Sequence, residues 1–441
     1  MKFKITILLV LFSIGFASAQ LKKWTLEECV TYAVENNLSV QQFELDLENA
    51  KIDKSDAIGG FLPDLNGNTT ASGNSGLSFN TASQDPVTTS VSNVNINITS
   101  NVTLFDGLRN YNRLNRAKLN AIANQYRLDD LKDDIRLNVA NAYLQVLSNK
   151  ESLKVFRAQY AVTEQDQKRT KELVDAGVVP RGDLLEIEAT AATQEQQIVN
   201  GENQVLISTI ALAQLLQITD YENFDIAEDT YEIPPSNVLD NSAKAIFNKA
   251  LTFRNDIKFS ESNVALAEKD LDISKGARYP TLSGFFNYNT RWSDANNIFG
   301  GFTEQLYLFD GISYGVRIDV PFFNGFSTRN SVSRSKIGVE QAKLQLAQDK
   351  LDLETNINQA YVDVNSFQKA YEAAEKTLEA RRLAYQYSKE RFDVGLMNAF
   401  DFSQAQSRVD NAEAEVIRTK YDYIFRLKIL EFYFGIPLSL N

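Results

Sequence analysis

Residues 357–378 read I-N-Q-A-Y-V-D-V-N-S-F-Q-K-A-Y-E-A-A-E-K-T-L. Ile357, Ala360, Val364, Phe367, Tyr371, Ala374 and Leu378 are spaced 3, 4, 3, 4, 3, 4, and Tyr385 and Phe392 continue the row at sevens. A sustained 3-4 spacing is the seam of a coiled coil. The row lies in a stretch, Phe326 to Val394, with no proline and only Gly338 as a glycine. It predicts a single helix of about 70 residues, or about 105 Å at 1.5 Å per residue. Ordinary helices run about 11 residues, so no globular core buries such a rod. Its partners must be other long helices, from the same chain or from copies of it.

The first half of the chain holds the same register in Val139, Ala142, Val146, Asn149, Leu153, Phe156 and Tyr160. A shift of 217 pairs Ala33 with Ala250, Glu44 with Glu261, Asp53 with Asp270, Pro63 with Pro280 and Gly67 with Gly284. After the next loop the shift becomes 218 and pairs Gly107 with Gly325, Tyr143 with Tyr361, Asp175 with Asp393, Gly177 with Gly395 and Ile218 with Ile436. A fixed offset carried this far is a tandem duplication. Each copy orders its parts alike: a helix (25–59, 241–276), two strands, a long helix (108–176, 326–394) and a shorter helix (182–218, 399–434).

Val94 to Leu104 alternates, with Val94, Ile96, Ile98, Val102 and Leu104 on one face and Asn95, Asn97, Thr99, Asn101 and Thr103 on the other. Tyr314 to Phe322 places Tyr314, Val316, Ile318, Val320 and Phe322 on one face against Gly315, Arg317 and Asp319. Strands of this length, apolar on one side and polar but mostly uncharged on the other, suit a water-filled membrane barrel. A soluble sheet with one solvated face alternates in the same way. Four strands cannot close a barrel, since the smallest membrane barrels have about eight, so closure requires more copies of the chain. The aromatics Phe299, Phe302, Tyr307 and Phe309 in the loop from Ser293 to Gly311 fit either an interfacial belt or local loop packing.

Composition narrows the chemistry. Among 441 residues there is no histidine, which excludes a Ser-His-Asp triad, a Cys-His pair and an HExxH zinc site. The single cysteine, Cys29, makes no internal disulfide and reads as a buried small hydrophobe. A net charge of -12 opposes nucleic-acid binding. Lys2 and Lys4, an apolar run from Ile5 to Phe16 and Ala17-Ser18-Ala19 read as a secretory signal cleaved after Ala19. No later segment offers the run of apolar residues that a spanning helix needs, so membrane residence would require a β-barrel.

The ordered repeat, the strand ends Leu104-Phe105-Asp106-Gly107 and Phe322-Phe323-Asn324-Gly325, and the turns Val174-Asp175-Ala176-Gly177-Val178-Val179 and Phe392-Asp393-Val394-Gly395-Leu396-Met397 together resemble the TolC family of outer-membrane efflux and secretion ducts. The resemblance covers essentially the whole chain after the signal. It implies a mainly α fold with membrane β: a homotrimer with one 12-stranded barrel in outer-membrane lipid and a helical tunnel across the periplasm. Expected partners are a periplasmic adaptor and an inner-membrane RND or ABC-type transporter, with no cofactor and no metal. The chain divides accordingly into a signal (1–19), a first repeat (20–218, strands about 64–73 and 92–105), an acidic linker (219–240) and a second repeat (241–441, strands about 281–292 and 312–323).

Carried over position by position, the family's acidic constriction falls on Asp401, with Gln404 where the next acid stands and Met397 where the basic gate partner stands. By the repeat, Asp183 and Glu186 are the first-copy equivalents of Asp401 and Gln404, i and i+3 on one helix face. A ring of carboxylates there would favour cations. Asp183 and Asp401 also sit near helix starts, where an acid serves as a cap or dipole partner. The tips Gly177, Val178, Gly395 and Leu396 would meet the adaptor, the glycines doubling as helix C-terminal caps. The linker, with seven acids, no basic residue and Pro234-Pro235, reads as a solvated connector rather than a metal site. Two other classes remain: a coiled-coil envelope spacer or adhesin without a conduit, and a secreted carboxylate hydrolase, for which no strand-end acid cluster speaks.

Overall fold

The computed structural model describes residues 23–79, 86–228, 232–233 and 235–436, so the signal, Asp229 and Pro234 lie outside the described residues. The chain forms two compact units. One comprises residues up to 43, 128–255 and 350 onward, the other residues 44–127 and 256–349.

The second unit contains the sheet. Strands β2 (Asn66–Phe79) and β3 (Pro86–Phe105), then β5 (Thr281–Ser293) and β6 (Gly311–Asp319), form one antiparallel sheet in the order β2-β3-β5-β6. Strands β2 and β3 run beyond the apolar alternation because Asn74–Gly76 pairs with Thr89–Val91 through the backbone alone. The register slips between Thr103 and Phe105, so Leu104 sits at a β-bulge and does not extend the row of Val94 to Val102. Val320 and Phe322 likewise fall outside β6, which ends at Asp319. Pro321 has no N–H to give a ladder, which stops the strand there. The loop after β5 is built: helix α7 (Phe302–Leu308) packs back, with Gln305 fully buried, accepting from the Ser293 N–H at 3.0 Å and donating to the carbonyls of Asn296 (3.2 Å) and Gly300 (3.1 Å). Phe299 meets Phe309 edge-on at 5.4 Å and Phe302 lies tilted against Trp292 at 5.6 Å, so these rings pack the loop, while Tyr307 is 84% exposed.

Each strand pair hands over to a long helix, α3 (Arg109–Asp175) or α8 (Ser327–Asp393), both 67 residues. The handover uses two consecutive left-handed residues: Gly107 (φ 72) and Leu108 (φ 65), then Gly325 (φ 61) and Phe326 (φ 67). A Cβ on Gly107 would stand 2.2 Å from the Gly276 carbonyl oxygen, so glycine is required there. Buried Asp106 accepts the Asn110 N–H at 3.0 Å and closes the start of α3.

The entry helix of each repeat is broken. Helices α1 (Leu26–Asn36) and α2 (Leu38–Gly59) are separated at Asn37, and α5 (Ala243–Phe253) and α6 (Asn255–Gly276) at Arg254. Asn37 is extended, and its side chain accepts the Ser39 N–H at 2.8 Å, capping the next helix. Arg254 is held by Asp130 at 3.6 Å and lies over the rings of Phe432 and Tyr433.

The first unit packs α1, α5 and the described lower stretches of α3 and α8 with α4 (Arg181–Leu215) and α9 (Ala399–Phe434). Its apolar core includes Cys29, Val139, Tyr143, Val146, Ile357, Val364, Leu212, Ile246, Ile424, Leu427 and Leu430. The expected solvated linker is instead docked. Strand β4 (Asp225–Ile226) pairs in parallel with β1 (Lys23–Trp24), and Phe224, Ile226 and Val238 are buried. Two of its acids are paired with bases: Lys154 meets Glu228 at 2.6 Å, Lys150 meets Asp225 and Glu228, and Lys23 reaches both. Among the described residues no cluster of three metal-type ligands occurs, and no helix is long and apolar enough to cross a membrane.

Candidate functional site

Both long helices end in the same turn. Gly177 (φ 73) donates to the Val174 carbonyl at 2.9 Å and Val178 to the Leu173 carbonyl at 2.9 Å. Gly395 (φ 74) donates to Phe392 at 3.0 Å and Leu396 to Arg391 at 2.8 Å. This six-to-one and five-to-two pairing is a Schellman stop, which needs a residue at positive φ. It leaves Val178 and Leu396 solvent-exposed at the apex of each hairpin.

The two turns share a cleft of about 640 Å³, lined among others by Asp166, Arg169, Val178, Asp183, Leu396 and Met397. Arg169 on α3 reaches Asp393 at the end of α8 at 2.7 Å, and Lys389 stands 3.8 Å from Asp166. A basic group therefore links the tips from Arg169, although Met397 occupies the position from which the family resemblance implied one. Phe402 on α9 is buried in a stack, parallel to Phe392 at 4.5 Å and to Tyr385 at 5.6 Å. That stack was legible as the sevenfold continuation of the α8 seam.

Asp401 lies in the first turn of α9 and is exposed. Asn398 caps it reciprocally: the Asp401 N–H donates to Asn398 Oδ1 at 2.8 Å, and Asn398 Nδ2 donates to Asp401 Oδ2 at 3.0 Å. Asp183, one turn into α4 after Pro180, is half-buried and lines the tip cleft. Glu186 and exposed Gln404 line a separate groove between α4 and α9, and Gln404 accepts from Arg408 at 3.1 Å. The chain thus places Asp183 in the cleft with the second-repeat tip and Glu186 in the groove with Gln404, while Asp401 lines neither.

Above the tips the bundle core turns polar, which the helix pattern did not signal. Gln159, Thr163, Gln194, Ser403 and Gln406 are buried. Gln406 donates to Thr163 at 2.7 Å, Gln159 to Glu413 at 2.9 Å, and Gln194 to Asp410 at 2.8 Å. Burial pushes the Asp410 carboxyl up to about 6, with Glu413 adding to it against the bond from Gln194. Burial also raises Asp166, opposed by Lys389. In the docked linker the reverse holds. The hydrogen bond from Lys154, helped by Lys150 and Lys23, outweighs burial and holds Glu228 down at about 2.

The profile of the outer membrane efflux protein family matches residues 30–216 and 246–435. Outer membrane protein TolC of Vibrio cholerae is 25% identical over 299 residues, 65% of this chain and 64% of that protein, so the match spans somewhat under two thirds of that relative. The alkaline protease secretion protein AprF of Pseudomonas aeruginosa is 21% identical over 338 residues, 76% of this chain and 68% of its own length. In structure, the CmeC outer membrane channel of Campylobacter jejuni superimposes with a TM-score of 0.79 at 17% identity, covering 93% of this chain and 85% of that one. The fold is therefore that of the outer-membrane channels, and with both repeats matched the chain belongs to the outer membrane efflux protein family.

Proposed function

We propose that this chain is one of three subunits of a passive outer-membrane conduit that receives substrate from an inner-membrane RND or ABC-type transporter through a periplasmic adaptor. The observation that carries the reading is the unfinished state of the isolated chain. Its sheet has two open edges, β2 and β6, and Ile312, Tyr314, Val316 and Ile318 expose one apolar face. Open edges cannot persist in lipid, where every backbone group needs a partner. Exposed apolar residues also recur at sevens, as Leu38, Leu45 and Ile52 on α2, Ile337, Leu344 and Leu351 on α8, and Val199 and Leu206 on α4. These are coiled-coil seams waiting for partner helices. Three copies supply both, giving a barrel of twelve strands within the range membrane barrels use. AprF's role in secretion and CmeC's as a channel agree with this reading, which takes a leader removed after Ala19 ahead of repeats 20–218 and 241–441.

Purified protein in planar bilayers should give ohmic channels from trimers. The pair Leu344→Glu and Leu351→Glu, placing charge in the seam, should yield monomers and no conductance. A wild-type monomer or dimer without conductance would remove the conduit and leave a coiled-coil envelope spacer.

Within this reading Asp401 and Asp183, with Glu186 and Gln404 behind them, line the periplasmic aperture, and Gly177, Val178, Gly395 and Leu396 contact the adaptor. Asp401→Asn keeps its backbone N–H for the Asn398 cap and removes only charge. It should lower the cation-over-anion permeability ratio by about twofold, following loss of a ring of carboxylates. Unchanged reversal potentials in a salt gradient would sink the assignment.

A further inference from the structure

The polar layer above the tips has more acceptors than donors. Gln194 is 3% exposed, and its Oε1 has no hydrogen-bond partner, while its Nε2 donates to Asp410 Oδ2 at 2.8 Å. Gln159 Oε1 and Asp166 Oδ2 are buried without partners as well. A buried acceptor left unmet is costly, so these groups are short of donors. The lysine and arginines nearby are engaged elsewhere: Arg382 reaches Glu413 at 2.7 Å, Arg169 holds Asp393, and Lys389 stands beside Asp166.

The donor that completes the Gln194–Asp410 pair is a proton. A carboxylic acid facing a primary amide closes a ring of two hydrogen bonds, N–H to one carboxyl oxygen and O–H back to the amide oxygen. The first is present, and the orphaned Gln194 Oε1 is the acceptor for the second. We propose that Asp410 and Gln194 form a proton-binding site that clasps α9 to α4 when Asp410 takes up a proton and slackens when it is ionised.

The groups that face Asp410 are Gln194 from α4 and, along the same groove, Glu186 from α4, Glu413 from its own helix (bound by Gln159 of α3 and Arg382 of α8) and Tyr385 from α8. None is a base able to keep the carboxylate ionised, and burial, then Glu413, raises its affinity for the proton. A carboxyl whose affinity is raised by folding stabilises the folded arrangement most below the ordinary carboxylate range. That stabilisation is lost as pH rises through about 6. The clasp therefore holds in acid and loosens at neutral pH, on the helices that lead from the tip turns.

Hydrogen–deuterium exchange of the detergent-solubilised assembly tests this without reference to conduction. Each pH is compared between wild type and Asp410→Asn, so that intrinsic exchange cancels. The substituted side chain is a neutral amide that closes the same ring at any pH. Peptides spanning Thr190–Gln197 and Gln406–Glu413 should be protected equally in both proteins at pH 5. At pH 7.5 the wild type should exchange roughly tenfold faster, given a proton affinity raised well above the ordinary range. Identical protection at both pH values overturns the proposal. Gln194→Leu keeps the packing and deletes the amide, so its acid protection should disappear, and persistence there would overturn the acid–amide pair.

Discussion

Replacing Tyr143 by alanine should destabilise the first unit by about 3–5 kcal/mol, the range for deleting a fully buried aromatic side chain. Tyr143 has no exposed surface, and its hydroxyl donates to the carbonyls of Trp24 and Ala227, each at 3.3 Å. Those two carbonyls belong to the two sides of the β1–β4 ribbon, which is only two residue pairs long. So short a ribbon does not hold itself, since even a full hairpin is marginal alone. Loss of the ring removes the floor under the ribbon at Trp24 and Ala227. Protease cleavage in that segment should then appear at a lower urea concentration than in wild type. Tyr143→Phe, which keeps the ring, should cost only about 0.5–1.5 kcal/mol for the hydroxyl bonds. Equal cleavage in Tyr143→Ala and wild type would show that the lysine–acid pairs alone dock the linker.

Gly395→Trp should abolish export while leaving assembly intact. A Cβ at Gly395 meets nothing within 4 Å, so the side chain enters open space and strains only the backbone at φ 74. A left-handed non-glycine residue costs roughly 1–2 kcal/mol, too little to unfold a 67-residue helix built into a bundle. The indole instead occupies the apex beside exposed Leu396, where the proposed function seats an adaptor hairpin. The readout is accumulation of a fluorescent efflux substrate in cells, with cross-linked trimer measured on the same membranes. Full export in the mutant would place the adaptor contact elsewhere.

The long helices and the duplication were readable because helix periodicity needs only local sequence and because the second copy tests the first. The strand faces were readable from Val94 to Val102, and failed at Leu104 and Val320, where a bulge and the missing N–H of Pro321 end the alternation. The breaks at Asn37 and Arg254 carry no glycine or proline. One is made by a side-chain cap and the other by an ion pair with a residue more than a hundred positions away. The linker looked solvated because its acids stand alone in sequence, the lysines that meet Asp225 and Glu228 lying at 23, 150 and 154. Asp410 was hidden for the same reason. An acid every few residues along a helix reads as a wet face, and only the opposing Gln194 shows Asp410 to be half-buried. The tip residues were legible as turns, since a glycine before an apolar residue at a helix end has few other meanings.

The paired left-handed residues at the strand-to-helix junctions bear on how such a chain can diverge. Leu108 and Phe326 differ in size and shape, yet their φ angles are 65° and 67°. What the two halves hold in common at that point is a handedness, with the side chain free to drift. A helix aimed by backbone stereochemistry keeps its direction while packing residues around it are exchanged one at a time. Ancestral copies could thus lose almost all lettering in common and still be drawn from one stencil.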